Sequence, residues 1–323
     1  MVALFRPTDP NPEPRPASSR ARRTRGCGRK IEIEGDLDHP TRAHALMREI
    51  AWPGHPLGRP VVGSTDSVRR LSREDAIYFV HQHYVPSRVI VAAAGRLDHD
   101  DFVASVRDGF WRMLGQHTDR TQPPVEAGGG TRNVTAPLTL AYFSLGLPAP
   151  AYGDTDRYAM HVLTRLLGGG VSSRLYRRVR EERGWAYDIS ADYLSYRDTG
   201  LLTIEGSTAP ETLFPVLRLV SDELAQLAGA GLEDDDLQRA HAQIRSQLLL
   251  SGEDMHTRMS RLAVQSFYFG RPLSDHEVLD GIGRVDAASV ARVAERCLNG
   301  GHSHALAAAG PASLIDIAGG RLD

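Results

Sequence analysis

The sequence predicts an α+β fold built as two homologous domains, the first of them incomplete. Segments with helical spacing alternate with short strand-like runs through most of the 323 residues. The chain also resembles itself at a domain-sized interval. "GRP" occurs at Gly58–Pro60 and again at Gly270–Pro272, an offset of 212. "SVRRLSREDAIYFVHQHY" leads to "VIVAAAG" ending at Gly95, and "GIGRVDAASVARVAERCL" leads to "HALAAAG" ending at Gly310, an offset of 215. Such spacing points to two related domains in tandem. If the second runs from Leu138 to Gly310, a first domain of equal length ending at Gly95 would begin roughly 80 residues before Met1. The front of the first domain is therefore expected to be missing.

Residues 1–30 carry eight basic and two acidic side chains and five prolines, without periodicity. Such a segment cannot bury a core and is expected to be a disordered tail. Pattern returns near Ile31. Residues 40–52 place Ala45, Leu46, Glu49 and Ile50 at helical spacing. "SREDAIYFVHQHYV" opens with a capping-box-like Ser72 and Asp75, with Ile77, Val80 and Tyr84 on its inward face. "RVIVAAAG" (Arg88–Gly95) reads as a buried strand. "DHDDFVASVRDGFWRML" reads as a helix with Phe102, Val103, Val106 and Phe110 inward and acids at its positive end.

The polar, Pro- and Gly-rich stretch 115–137 is expected to be a linker between a domain at 31–114 and one at 138–323. The second opens with an alternating strand at Leu138–Leu147 and a helix from about Asp154 to Leu167. Gly168, Gly169 and Gly170 end that helix, and Ser172 or Ser173 is placed to cap the next. "AYDISADYLSY" and "GLLTIEGS" are strands joined by a turn at Arg197–Gly200. Helices fill about 210–229, 232–250, 255–268 and 286–298, and Ser303–Gly310 is the last strand.

Composition excludes several classes. No apolar run approaches the roughly 20 residues that span a bilayer, and no signal peptide is legible. Cys27 and Cys297 suit neither a disulfide framework nor a Cys-x-x-Cys metal site, so a cytoplasmic protein is expected. Beyond residue 30 the chain holds 30 basic and 38 acidic side chains, and no nucleic-acid reader motif is present. Neither a nucleic acid nor a membrane is expected as a partner. His302 and His304 could share a strand face, but a lone HxH pair is usually a surface or packing feature; His81 and His83, two apart on a helix, do not face each other, and His39, His44 and His55 lack ligand spacing. The acids of Leu232–Asp236 are accounted for by a helix dipole, and "GIG" at Gly281–Gly283 follows no strand and so marks no nucleotide site.

"LLGGGVSSRLYRRVREERGWAY" (Leu166–Tyr187) resembles the signature in the C-terminal half of pitrilysin/insulinase zinc metallopeptidases, in the bacterial branch similar to the mitochondrial processing peptidase. "HPLGRPVVGSTDSV", "HYVPSRVIVAAAGRLDHD" and "DTGLLTIEGS" match the same family in the same order. The resemblance implies paired homologous domains, each a mixed sheet with helices packed on it, closing like a clamshell on peptides or unfolded segments. It also implies zinc. In the family, two histidines of an HxxEH helix bind the metal, the Glu between them is the general base, and a Glu on a later helix is the third ligand. This sequence has no HxxEH and no HExxH. "IEIEGDLDHP" resembles the segment of the third ligand and puts it at Glu32, with Glu34 the weaker candidate. The resemblance further implies that Gly168, Gly169 and Gly170 border the substrate. Arg180 and Tyr187 match an Arg/Tyr pair that holds the peptide backbone and stabilises the oxyanion.

Two functions follow as expectations. The chain is a metallopeptidase-family protein without its own general base or bound zinc, and inactive alone. Alternatively it is a non-catalytic subunit that lends its glycine-rich loop and Arg/Tyr pair to a zinc-bearing homologue. Its partners would be peptide substrates and a homodimeric or heterodimeric mate.

Overall fold

The computed structural model describes residues 41–110, 125–229, 232–300 and 303–311. The helices along the chain are α1 (Thr41–Ala51), α2 (Thr65–Arg70), α3 (Arg73–His83), α4 (His99–Phe110), α5 (Arg157–Gly168), α6 (Leu213–Gly229), α7 (Asp234–Ser251), α8 (Met255–Phe269), α9 (Asp275–Gly283) and α10 (Ala287–Leu298). The strands are β1 (Gly130–Thr135), β2 (Ala141–Ala149), β3 (Ala186–Ser195), β4 (Gly200–Thr208) and β5 (Ala305–Gly310). The chain divides into two compact bodies. One is built from the described residues of Val62–Gln122 and Gln247–Ser274, the other from those of Glu34–Val61, Pro123–Ser246 and Asp275–Asp323.

The second body holds a five-stranded mixed sheet in the order β1-β5-β2-β4-β3. Strands β1 and β5 run parallel, and the other neighbours are antiparallel. One face carries Phe143, Leu145, Leu202, Ile204, Ile189, Leu306 and Ala308 into a core completed by α5, α6 and α10. Helix α5 contributes Met160, Leu163 and Leu167 at helical spacing, and α10 contributes Val290, Val293, Ala294 and Cys297. Each such aliphatic side chain contributes about 1.5–3 kcal/mol by leaving water. The Cys297 thiol is pushed up to about 12 by burial, so it packs as a small apolar group. The other face receives α1, whose Met47, Ile50 and Ala51, with Trp52, meet Leu201, Ala305 and Ala307. Strand β5 is thus covered on both faces. That is why its "ALAAAG" shows no alternation of polar and apolar residues.

Four expectations are corrected here. Helix α1 lies against the sheet rather than within a domain ending at residue 114, because that sheet offers its apolar stripe a partner. The stretch 115–137 is not wholly a linker. Gly130–Thr135 is strand β1, an edge strand whose outer residues face water and so lack an apolar period. The two short helices α2 and α9 are additional to the pattern read from the sequence. Arg88–Gly95 is no strand, since among the described residues of its body there is no sheet to pair with. The tail at 1–30 lies outside the described residues.

The first body shows the cost of that missing partner. Helix α3 forms as its Ser72–Asp75 capping box dictates, with the Asp75 carboxyl held low by hydrogen bonds from the Ser72 backbone and side chain. Yet Ile77 and Val80 face water rather than a core, and Val103 of α4 is exposed as well. At an offset of 214, between the 212 and 215 of the flanking landmarks, Phe79 and Val80 correspond to Val293 and Ala294 of α10. The first pair is 55% and 47% exposed, whereas the second pair is fully buried. Among the described residues of this body only Val85, Met259 and Gln265 are buried.

Candidate functional site

The glycine-rich loop is built by close packing as much as by conformation. A Cβ on Gly168 would lie 2.3 Å from the backbone nitrogen of Ala191, so the end of α5 rests directly on β3. Gly170 has φ of 137°, a conformation closed to side chains, with open space beside it. Neither expected serine cap forms. Ser172 Oγ accepts from Gln243 Nε2 at 2.9 Å, and Ser173 is buried with no partner for its hydroxyl. Instead the Ser173 N–H donates to Gly170 O, and the Arg177 N–H to Ser173 O. Gln243 of α7 grips the loop from both sides, because its Oε1 also accepts from Arg165 Nε at 3.0 Å.

The chain then enters a π-helical turn, Tyr176–Glu181, in which the Glu182 N–H reaches Arg177 O five residues back. Leu175 and Val179 anchor it in the core. Arg178 donates to the buried carboxylate of Glu223 on α6, and Arg174 lies 3.6 Å from the same carboxylate and 3.1 Å from Asp236. Asp236 therefore does more than complement a helix dipole. A cavity of about 500 Å³ opens beside this cluster, lined by Arg178, Arg183, Leu219, Asp222, Glu223 and Gln226. Both of its arginines are already held, Arg178 by Glu223 and Arg183 by Glu182.

The structure brings Arg180 and Tyr187 together. Gly184, with φ of 63°, reverses the chain, and the Trp185 N–H closes the turn on Val179 O. Strand β3 starts with a register shift between Ala186 and Asp188, so Tyr187 is the extra residue of a β-bulge, 75% exposed. Bulges of this kind re-aim a side chain. The Arg180 guanidinium carbon lies 5.5 Å from the Tyr187 ring centre and 4.8 Å from that of Tyr176. Arg180 is exposed, and no carboxylate pairs with it among the described residues, so none of its N–H donors is committed to an acid there.

Beside the bulge, the sheet face opposite the core is polar. Asp188 accepts from Ser207, and Glu205 accepts from Ser144 Oγ at 2.8 Å and pairs with His44 of α1. Burial pushes the Glu205 carboxyl up, but the hydrogen bonds from His44 and Ser144 outweigh it and hold the group below its usual value. Asp192, raised by burial and by the charge of Glu205, shifts the other way.

Glu32 and the alternative Glu34 lie outside the described residues, as does His302. His304 bonds Cys297 O at the end of α10, and His83 stacks on Phe79. The Gly281 of "GIG" is explained by packing, since a Cβ there would strike the Tyr158 ring at 2.3 Å. Among the described residues no group of three His, Cys, Asp or Glu side chains could hold a metal. This donor set does not fit zinc. No helix of the described residues is long and apolar enough to cross a membrane.

Sequence reasoning missed Glu223, Gln243 and Tyr176, and weighed His44 only as a metal ligand, not as the partner of Glu205. Glu223 left one legible trace: it falls on the apolar stripe of α6 with Val216, Val220 and Leu227, where an acid needs a buried partner.

Comparison with known proteins agrees with this architecture. Residues 70–244 match the family model described as the peptidase M16 inactive domain. An uncharacterized zinc protease of Mycobacterium tuberculosis is 36% identical across 83% of this chain, which spans 65% of that protein. An uncharacterized zinc protease of Streptomyces coelicolor is 34% identical across 86% of the chain, which spans 61% of it. In fold, the chain is similar to an M16 inactive domain from Pseudomonas fluorescens, with a TM-score of 0.80 at 21% identity over 92% of this chain and 71% of the other. It is also similar to a protease from Helicobacter pylori, at 0.77 and 15% identity over 89% and 72%. Sheet topology, glycine-rich loop and family match converge: the chain belongs to the M16 peptidase family, whose inactive-domain model describes its central part.

Proposed function

We propose that this chain supplies the peptide-holding part of an M16 zinc peptidase site and relies on a polypeptide bearing HxxEH for the metal and the general base. The observation that carries the reading is Arg180: an exposed cation with no carboxylate partner among the described residues, held against two tyrosine rings at the edge of a glycine-rich loop. A guanidinium and a phenol are both donors, and they suit the carbonyl oxygens of an extended peptide. The role given to this chain is binding and orientation. Alone it is inactive on peptides. A dedicated non-catalytic subunit would use the same residues in the same way. The relatives' designation as zinc proteases supports zinc in the family.

The test is complementation. The part of the Streptomyces relative that this chain does not match is mixed with the chain and offered a fluorogenic peptide. Cleavage is expected only in the mixture. Tyr187→Phe and Arg180→Lys are each expected to lower kcat by about 10²–10³ with little change in KM, the signature of donors that act on developing charge. Wild-type turnover by both variants would remove these residues from the site. Cleavage by the chain alone would overturn the division of labour.

A further inference from the structure

We infer that Tyr176 is a positioning residue for Arg180, an assignment that rests on the peptide-holding role of Arg180 given above. The turn carrying both has two faces. Residues two apart on a helical turn point in nearly opposite directions, and those four apart share a face. Arg174 and Arg178 form one such pair and are spent on Glu223 and Asp236. Tyr176 and Arg180 form the other. The inward pair anchors the turn, and the outward pair presents it.

Arg180 needs that presentation. It is exposed and long, and among the described residues no carboxylate fixes it. Left alone, such a side chain samples many rotamers and must be ordered each time a peptide binds. Two ring faces limit this sampling. Tyr176 supplies the nearer one at 4.8 Å and is itself half-buried, so its ring is held by the protein. Tyr187 supplies the farther one at 5.5 Å and is mostly exposed. Stacking leaves the guanidinium N–H groups free, because a cation over a ring is attracted by the face and uses no donor. An ion pair would fix the arginine equally well but would occupy the donors. Tyr176 therefore holds Arg180 without consuming what the peptide requires. The aromatic ring carries this role and the hydroxyl does not.

Nuclear magnetic resonance of the full chain tests this without any catalysis. In the wild-type chain, the Arg180 side-chain protons are expected upfield of an ordinary exposed arginine, with cross-relaxation to the Tyr176 ring. Tyr176→Phe is expected to keep that shift. Tyr176→Leu is expected to lose most of it while the amides of Leu175 and Val179 stay in place. The absence of Arg180–Tyr176 cross-relaxation in the wild type would overturn the inference even if the Leu variant misfolds. An unchanged Arg180 signal in a folded Tyr176→Leu chain would do the same. In the complemented enzyme, Tyr176→Leu is expected to lower kcat/KM about tenfold and Tyr176→Phe to stay within about twofold. If the wild-type mixture cleaves nothing, the proposed function fails, and the resonance measurements alone decide whether Tyr176 holds Arg180.

Discussion

The side chain of Glu223 is 1% exposed and is held by Arg178, which reaches it from the π-helical turn that also carries Arg180. A carboxylate this deep is tolerated only because two arginines answer it. Truncating it leaves the arginines facing an apolar helix. They retain 21% and 35% exposure and so recover part of their hydration. Glu223→Ala is therefore expected to cost about 2–3 kcal/mol, below the 3–5 kcal/mol of a fully buried broken pair, measured by urea unfolding. It should also loosen the loop, with faster amide exchange at Tyr176–Arg183. A variant as stable as the wild type would show that the pair contributes nothing.

Gly168→Ala should destabilise the sheet body by about 1–3 kcal/mol, because the new methyl meets backbone rather than a yielding side chain. Gly153→Ala is the matched control, having nothing within 4 Å of the added carbon. Equal melting temperatures for the two variants would refute the packing role of Gly168.

Two carboxylates on the polar face of the sheet should respond to pH with opposite signs. Glu205 is depressed in the folded chain, so its contribution is present above its unfolded value near 4.5 and is lost as pH falls through the folded value. Asp192 is raised above 3.8, so its ionised form opposes folding and its contribution is lost as pH rises through the folded value. Glu205→Gln should thus lower the melting temperature at pH 7 more than at pH 3. Asp192→Asn should raise it at pH 7 and leave it unchanged near pH 3. Parallel shifts in both variants would contradict the assignment.

Hydrogen exchange should separate the two copies of the repeat. Amides of Ala76–Ala94 are expected to exchange far faster than those of Val290–Ala309, because the described residues of the first copy's body form no sheet and include almost no buried side chains. Binding of the relative's unmatched part should slow the first set selectively. Equal protection of both sets in the isolated chain, shown to be monomeric by sedimentation, would contradict the lack of a core in that body.

Metal analysis of the desalted chain should return well under one zinc per molecule, since zinc sites take three or four protein ligands and the described residues bring no three together. A stoichiometric ion would place ligands outside the described residues and reverse the proposal.

Local order was legible in the residues themselves. The Ser72–Asp75 capping box, the helix at 286–298, the strands β3 and β4 and the glycine stop after α5 are short-range patterns that formed where read, while β2 formed at Ala141–Ala149, shifted from the expected Leu138–Leu147. Arg180 and Tyr187 could be named from the motif, but their meeting could not. It required a widened turn at Tyr176–Glu181 and an extra residue at the start of β3. Both depend on anchors distant in sequence: Glu223 lies 45 residues from Arg178, and β4 sets the register of β3. The same limit explains the false strand at Arg88–Gly95. A short continuous apolar run says that a segment suits a buried strand, but strand pairing is long-range, and only the folded chain decides whether a partner edge exists. In this protein β5 found one between β1 and β2, while among the described residues its counterpart in the first copy has none.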